Sequence, residues 1–141
     1  ALQLPPESFD AVGCAEVLEH LDDDEAALAE FAAVLRPGGL LLVTVPANPY
    51  RYDWTDQWAG HRRRYTVDGL AERIRAAGFV DPDVRGRRRL QAGHDGELGG
   101  SPPRLVSAAV RAVLEIDSAF IGRRPGYHGL IAVARRGDHH A

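Results

Sequence analysis

The sequence predicts one α/β domain organised on parallel strands, and three observations predict it. Leu40-Leu41-Leu42-Val43-Thr44-Val45 is an almost continuous apolar run, the mark of a strand covered on both faces. Phe9-Asp10-Ala11-Val12-Gly13-Cys14 is a second short apolar stretch, read as another strand buried on both faces. Between them Leu28, Phe31, Val34 and Leu35 recur at the spacing of one helical stripe. Strand, helix and strand within about 37 residues make one βαβ unit. The two strands are therefore expected side by side, pointing the same way.

Each element follows from local chemistry. The turn-forming Pro5-Pro6-Glu7-Ser8 precedes the first strand. The helix is expected to start at Asp22, which with Glu25 three residues on makes a capping-box-like pair. The acidic run Asp22-Asp23-Asp24 suits the positive end of a helix. Pro37-Gly38-Gly39 is expected to end it, and the central strand to begin at Leu40. Residues 46 to 65 read as a loop, which holds five of the ten aromatic residues: Tyr50, Tyr52, Trp54, Trp58 and Tyr65. A second helix follows, with Thr66 as cap, Leu70 and Ile74 on the buried face and Gly78 as stop. Phe79 to Leu90 reads as an irregular or edge strand because of Pro82 and Arg87-Arg88-Arg89. Residues 91 to 102 read as a Gly-rich loop, and Pro103 is expected to open a helix running to about Ile121. Pro125-Gly126 breaks that helix, and Tyr127 to Ala134 is the closing strand. Residues 137 to 141 are expected to fray.

Composition narrows the function classes. The 141 residues suffice for one domain, and 45% hydrophobic with 26% charged residues is ordinary for a globular fold. A net charge of −3 and a pI of about 6.1 argue against a generic nucleic-acid binder. The longest apolar run is too short to span a bilayer. The N-terminus lacks the basic-then-apolar pattern of a signal peptide. The single Cys14 excludes an internal disulfide and a cysteine-based zinc site, so a reducing cytoplasm is the expected compartment. There is no Met, so Ala1 is not read as a translation start and the chain is expected to be a fragment or a trimmed product. All 17 basic residues are Arg, from which no function is drawn.

The order of landmarks resembles a known family. Ser8-Phe9-Asp10-Ala11-Val12, then Glu16-Val17-Leu18-Glu19-His20-Leu21, then Leu35-Arg36-Pro37-Gly38-Gly39-Leu40-Leu41-Leu42-Val43 resemble the second half of a class I S-adenosylmethionine-dependent methyltransferase. Gly60-His61-Arg62-Arg63-Arg64-Tyr65-Thr66, a helix and Ala77-Gly78-Phe79 are similar to its small-molecule branch. The resemblance implies a Rossmann-like sheet of order 3-2-1-4-5-7-6. Residues 1–136 would supply its C-terminal half, strands 4-5-7-6. The family's Gly-rich cofactor loop has no counterpart before Ser8. The strand at 9–14 would then expose an edge, which the N-terminal half of the same domain or a homo-oligomer partner would cover. The implied activity is methyl transfer from S-adenosyl-L-methionine to a small-molecule acceptor, O- or N-directed. Neither nucleic acid nor a membrane is an expected partner. Residues 46–65 would serve as a substrate lid and 103–121 as a variable helix.

Ligands of open α/β sheets sit beyond the carboxyl ends of the strands. By the resemblance Cys14, Ala15, Glu16 and Val17 would line the cofactor; otherwise they are a plain strand-to-helix connection. Glu16, Glu19 and His20, spaced i, i+3 and i+4, are expected on one side of a helical turn. Two carboxylates and an imidazole suit a divalent metal ion. The pattern resembles the metal site of ubiquinone-pathway O-methyltransferases and small-RNA 2′-O-methyltransferases. In the latter a later His completes the site, and His61 sits in a comparable place. The alternative is that Glu19 or His20 only caps a helix. His61 and His20 are the catalytic candidates, His61 as a general base or else as a tie between loop and backbone. Tyr52, Trp54 and Trp58 are the candidates for acceptor contact. Arg62, with Arg63 and Arg64, could hold a phosphate or acidic carrier, or could belong to a solvated face, as could Arg87-Arg88-Arg89. Two rivals remain. One is a non-catalytic scaffold that kept the fold and lost cofactor binding. The other is a nicotinamide-dependent half-domain, disfavoured because a catalytic Tyr-x-x-x-Lys is impossible without Lys.

Overall fold

The computed structural model describes residues 3–88 and 127–138. The expected Gly-rich loop, the helix at 103–121 and the last three tail residues lie outside the described residues. Four strands, β1 (Phe9–Ala15), β2 (Leu35–Pro46), β3 (Phe79–Arg88) and β4 (Tyr127–Arg136), form one sheet in the order β1-β2-β4-β3. β1 and β2 run parallel, with Cys14 opposite Val43 and Ala15 opposite Thr44. Their carboxyl ends therefore lie together, as the βαβ reading requires. β4 is antiparallel to both β2 and β3 and lies between them. This is the 4-5-7-6 order of the Rossmann-like methyltransferase sheet.

β2 is central because the second half of its sequence is apolar enough to be covered on both faces. Every residue from Leu41 to Ala47 is buried. Leu18, Leu28, Leu35, Val43, Leu70 and Ile74 are fully enclosed in the same core. Each such side chain stabilises the fold by about 1.5–3 kcal/mol through burial alone. Helices α1 (Asp24–Val34) and α3 (Val67–Ala76) touch each other, and α3 also packs on β3 and β4. In α3 the expectations hold closely. The Thr66 hydroxyl accepts from the Gly69 N–H at 3.0 Å, Leu70 and Ile74 are buried, and Gly78 follows the helix at φ 93°. β3 is the irregular edge strand expected, with its register broken between Val80 and Asp83, around Pro82.

Four expectations need correction. β1 is not buried on both faces: Phe9 is 38% exposed, and Asp10, Ala11 and Gly13 are open, while Cys14 is enclosed. The strand lies at the sheet edge, so apolar composition alone does not cover it. α1 starts later than Asp22. Asp23 is its cap, accepting from the Ala26 N–H at 2.8 Å, and Asp22 pairs instead with Arg62. α1 also stops at Val34, before Pro37. Leu35 is already extended, pairs with Phe9 and is fully buried. Pro37 disfavours helical geometry at the residue before it, and the core claims Leu35 for the strand. Gly39 lies within β2, where a Cβ would meet the Arg36 carbonyl oxygen at 2.8 Å. Finally, residues 46–65 are not a plain loop. They contain a 3-10 turn (Pro49–Arg51) and α2 (Trp54–Ala59), the latter held by a reciprocal capping box between Asp53 and Asp56. No helix among the described residues is long and apolar enough to cross a membrane.

Candidate functional site

The site begins where β1 runs out. The Glu16 N–H donates to the Thr44 carbonyl at 2.9 Å, extending the ladder by one bond. Glu16 then takes a left-handed backbone, φ 52°, uncommon for a residue with a Cβ. The chain turns sharply there. Val17 is left exposed, Leu18 drops into the core, and Leu18–His20 forms a single 3-10 turn. Glu16 precedes that turn, so Glu16, Glu19 and His20 do not share one helical face as expected. Glu19 is fully buried, whereas His20 is turned to the surface.

The second wall comes from residues 46–65. Their two ends are tied to each other: the Asn48 N–H donates to the Tyr65 carbonyl, and the Tyr65 N–H to the Pro46 carbonyl, both at 2.9 Å. After α2 the chain reverses through Gly60, whose φ of 78° suits glycine. The His61 N–H then donates to the Asp56 carbonyl at 2.8 Å, and the Arg62 N–H to the Glu19 carbonyl at 2.7 Å. The reversal brings His61 against Glu19 and His20.

Glu19, His20 and His61 each offer a ligand atom, all within 4.8 Å of one another. Glu19 Oε1 lies 3.9 Å from His20 Nε2 and 4.0 Å from His61 Nε2. The two rings meet edge to face with centroids 4.8 Å apart. Both Glu19 oxygens are buried without a hydrogen-bond partner among the described residues, as is Glu16 Oε1. Burial first, and the Glu16 carboxylate second, push the Glu19 carboxyl up to about 8. Burial and Glu19 likewise push the Cys14 thiol up to about 12, so it carries no thiolate at neutral pH. A buried carboxylate without a donor is costly. The gaps of 3.9 and 4.0 Å are too wide for hydrogen bonds, yet the facing atoms are all donors a cation could use. One carboxylate and two imidazoles thus fit a borderline divalent ion. Glu16 is not within the group of three.

Behind His61 stands Asp56, which the sequence did not single out. Its Oδ1 contacts His61 Nδ1 at 2.8 Å and accepts from Arg64 Nε at 2.8 Å; its Oδ2 accepts from the Asp53 N–H at 2.9 Å. Burial would raise the Asp56 carboxyl, but bonds from Arg64, the Asp53 backbone and His61 outweigh it and hold it below the usual range.

The arginine run reads differently from either expectation. Arg63 reaches Asp24 at 2.9 Å and the carbonyls of Leu21 and Asp22, and Arg64 reaches Asp56. Buried Asp24 also accepts from Tyr65 Oη at 2.7 Å and Arg73 Nε at 3.1 Å. Two of the three guanidinium groups are therefore internal braces: Arg63 fastens 46–65 to the start of α1, and Arg64 ties Asp56 to the Ala47 carbonyl within 46–65. Arg62 stays exposed, paired with Asp22 at 2.8 Å. The side chains of Arg87, Arg88 and Arg89 lie outside the described residues. Of the aromatic residues, Tyr65 is buried and Tyr52 donates to the His61 carbonyl at 2.8 Å. Tyr50, Trp54 and Trp58 are 82%, 71% and 86% exposed. The spacing Asp53–Asp56 before Gly60 was the sequence signal for α2, masked by a helix too short to show a stripe.

A Rossmann-like sheet with polar side chains at the shared tips of two parallel strands defines the class of fold, and comparisons agree with it. A methyltransferase-domain family model matches residues 1–43. The chain is 33% identical over 140 residues to a probable S-adenosylmethionine-dependent methyltransferase of Mycobacterium tuberculosis, covering 85% of this chain and 50% of that protein. It is 33% identical over 97 residues to a 2-methyl-6-phytyl-1,4-hydroquinone methyltransferase of Synechocystis, covering 60% of this chain and 30% of the relative. Among solved structures, a Haloferax volcanii complex between the Trm112 methyltransferase activator and a methyltransferase superposes with a TM-score of 0.64 at 18% identity, over all of this chain and 59% of that one. A putative methyltransferase of Bacillus halodurans superposes with a TM-score of 0.60 at 16% identity, over 98% of this chain and 74% of that one. In sequence the chain is thus similar to S-adenosylmethionine-dependent methyltransferases, and in fold to their Rossmann-like domains. It spans half or less of the length of these curated relatives.

Proposed function

We propose that the chain forms the acceptor side of a site for S-adenosylmethionine-dependent methyl transfer to a small molecule, O- or N-directed. The observation that carries the proposal is the buried, unpartnered Glu19 carboxylate facing His20 and His61 at the common end of two parallel strands. S-adenosylmethionine supplies the methyl group as a sulfonium electrophile. Cys14, Ala15, Glu16 and Val17 leave the tip of β1 and offer it backbone groups and the exposed Val17 side chain. His61 turns Nδ1 to Asp56, which leaves Nε2 on the Glu19 side, free in the absence of a metal ion to accept a proton from the acceptor, or else to ligate the ion. Glu19, His20 and His61, with Glu16 nearby, could hold a divalent ion, which when bound would polarise the acceptor oxygen as a Lewis acid. Tyr52, Trp54 and Trp58 give the acceptor an apolar wall, and Arg62 could exchange Asp22 for an acidic group on it. Among the described residues the outer edge of β1 has no partner strand, and there the rest of the domain, or a second copy of the chain, would add one.

The test uses the protein expressed from its natural reading frame. Calorimetric titration with S-adenosylhomocysteine is expected to show stoichiometric binding that Val17→Asp weakens. Elemental analysis is expected to find a divalent ion that Glu19→Ala or His61→Ala removes. A protein that binds no S-adenosylhomocysteine contradicts the methyltransferase reading. A protein that binds it but holds no metal, with activity unchanged in Glu19→Ala, contradicts the metal.

A further inference from the structure

We propose that Asp56 is the positioning residue of the site: it fixes the His61 ring so that Nδ1 carries the proton and Nε2 presents its lone pair toward Glu19 and His20. This deepens the reading of His61 given above and rests on it.

Three observations carry the inference. Asp56 is itself almost fully buried, at 1% exposure, so its carboxylate is not satisfied by water. Its Oδ1 lies 2.8 Å from His61 Nδ1, while His61 Nε2 is the nitrogen that faces Glu19 at 4.0 Å. A carboxylate can only accept, so the proton in that contact belongs to Nδ1, and a neutral ring must then leave Nε2 bare. Asp56 is in turn immobilised from three sides. Arg64 holds Oδ1, the Asp53 N–H holds Oδ2, and the Asp56 carbonyl accepts from the His61 N–H at 2.8 Å. The one residue therefore grips His61 at both its backbone and its ring.

The chemistry explains why such a brace is needed. Free imidazole divides its proton between the two nitrogens, and only the form with Nδ1–H can take a proton or a metal ion at Nε2. Histidines that serve as ligands or bases commonly have the remaining nitrogen bonded to a carboxylate, and losing that partner typically costs 10–100-fold in metal affinity. Arg64 has a different place in the same cluster. It touches Asp56 and the Ala47 carbonyl, not His61, so it supports the carboxylate without setting the tautomer.

The experiment reads the tautomer directly, with no need for substrate or turnover. Long-range nitrogen–proton NMR on the metal-free, natural-length protein, recorded over a pH series so that the neutral ring is read directly, distinguishes Nδ1–H from Nε2–H for His61. The wild type is expected in the Nδ1–H form. Asp56→Ala is expected to shift the ring toward Nε2–H and to weaken Co2+ binding, followed by its visible absorption, by 10–100-fold. Arg64→Leu is expected to lower the unfolding temperature while His61 keeps Nδ1–H. A wild-type ring found as Nε2–H overturns the proposal, and that measurement needs no variant to fold. An Asp56→Ala protein that folds and keeps the Nδ1–H form overturns it too. If the tautomer follows Asp56 but no protein binds Co2+, the positioning role stands and the metal reading falls.

Discussion

Replacing Glu19 by Gln should change how the fold responds to pH, and the structure gives the size of the effect. Unfolded, this carboxyl loses its proton near its ordinary value of 4.5; folded, it keeps the proton up to about 8. Across that window the folded state binds more protons than the unfolded one. Its stability therefore falls as pH rises from about 4.5 to about 8, and the sign is opposite to that of a salt-bridged carboxylate. At about 1.36 kcal/mol per pKa unit, the wild type should lose about 3 kcal/mol between pH 5 and pH 8 through this one group. Glutamine has no such titration. Its buried amide costs about 1–3 kcal/mol if unpartnered, but by the same amount at every pH. Urea unfolding of both proteins at pH 5, 6, 7 and 8, with a chelator present, isolates the effect as a difference of differences. The wild type minus Glu19→Gln stability should fall steadily over the series. A difference that stays flat to within about 0.5 kcal/mol would refute the claim that this carboxylate is buried without a partner.

Three further outcomes follow from the packing. Leu28→Ala, at a fully buried position of α1, should cost about 2–5 kcal/mol in chemical denaturation. Tyr65→Phe removes one hydrogen bond to Asp24 while Arg63 and Arg73 remain, so a loss of about 1 kcal/mol is expected, measured the same way. Trp58→Ala should leave stability within about 0.5 kcal/mol, because the ring is exposed, while raising KM for the acceptor in a methyl-transfer assay.

The sheet was legible because its signals are strong and local. A six-residue, almost continuous apolar run at 40–45 admits few environments other than a central strand, and β2 is buried from Leu41 to its end at Pro46. The Thr66 cap and the Leu70–Ile74 spacing located α3 for the same kind of reason. Boundaries were less legible where two elements compete for one residue. Leu35 fits the helical stripe and the strand equally well in sequence, and only its pairing with Phe9 decides between them. At the site the sequence offered Glu16, Glu19, His20 and His61 as a donor set; the fold brings the last three together and leaves Glu16 outside the group. What escaped was the pairing of charges across long separations. Asp24 meets Arg63 and Arg73, and Asp56 gathers His61 and Arg64; the helix-start patterns that hold these two acids do not announce those partners. Partner choice among many acids and arginines is a property of the fold, because any of the carboxylates could satisfy any of the guanidinium groups until topology brings two together.

Nitrogen–proton correlation spectra of the labelled, natural-length protein, recorded during titration with S-adenosylhomocysteine, probe the role of the paired strand tips most directly. Saturable shifts centred on the amides of Cys14, Ala15, Glu16 and Val17 are the expected result. Saturable binding whose shifts leave those four amides unmoved, or no binding at all, would contradict it.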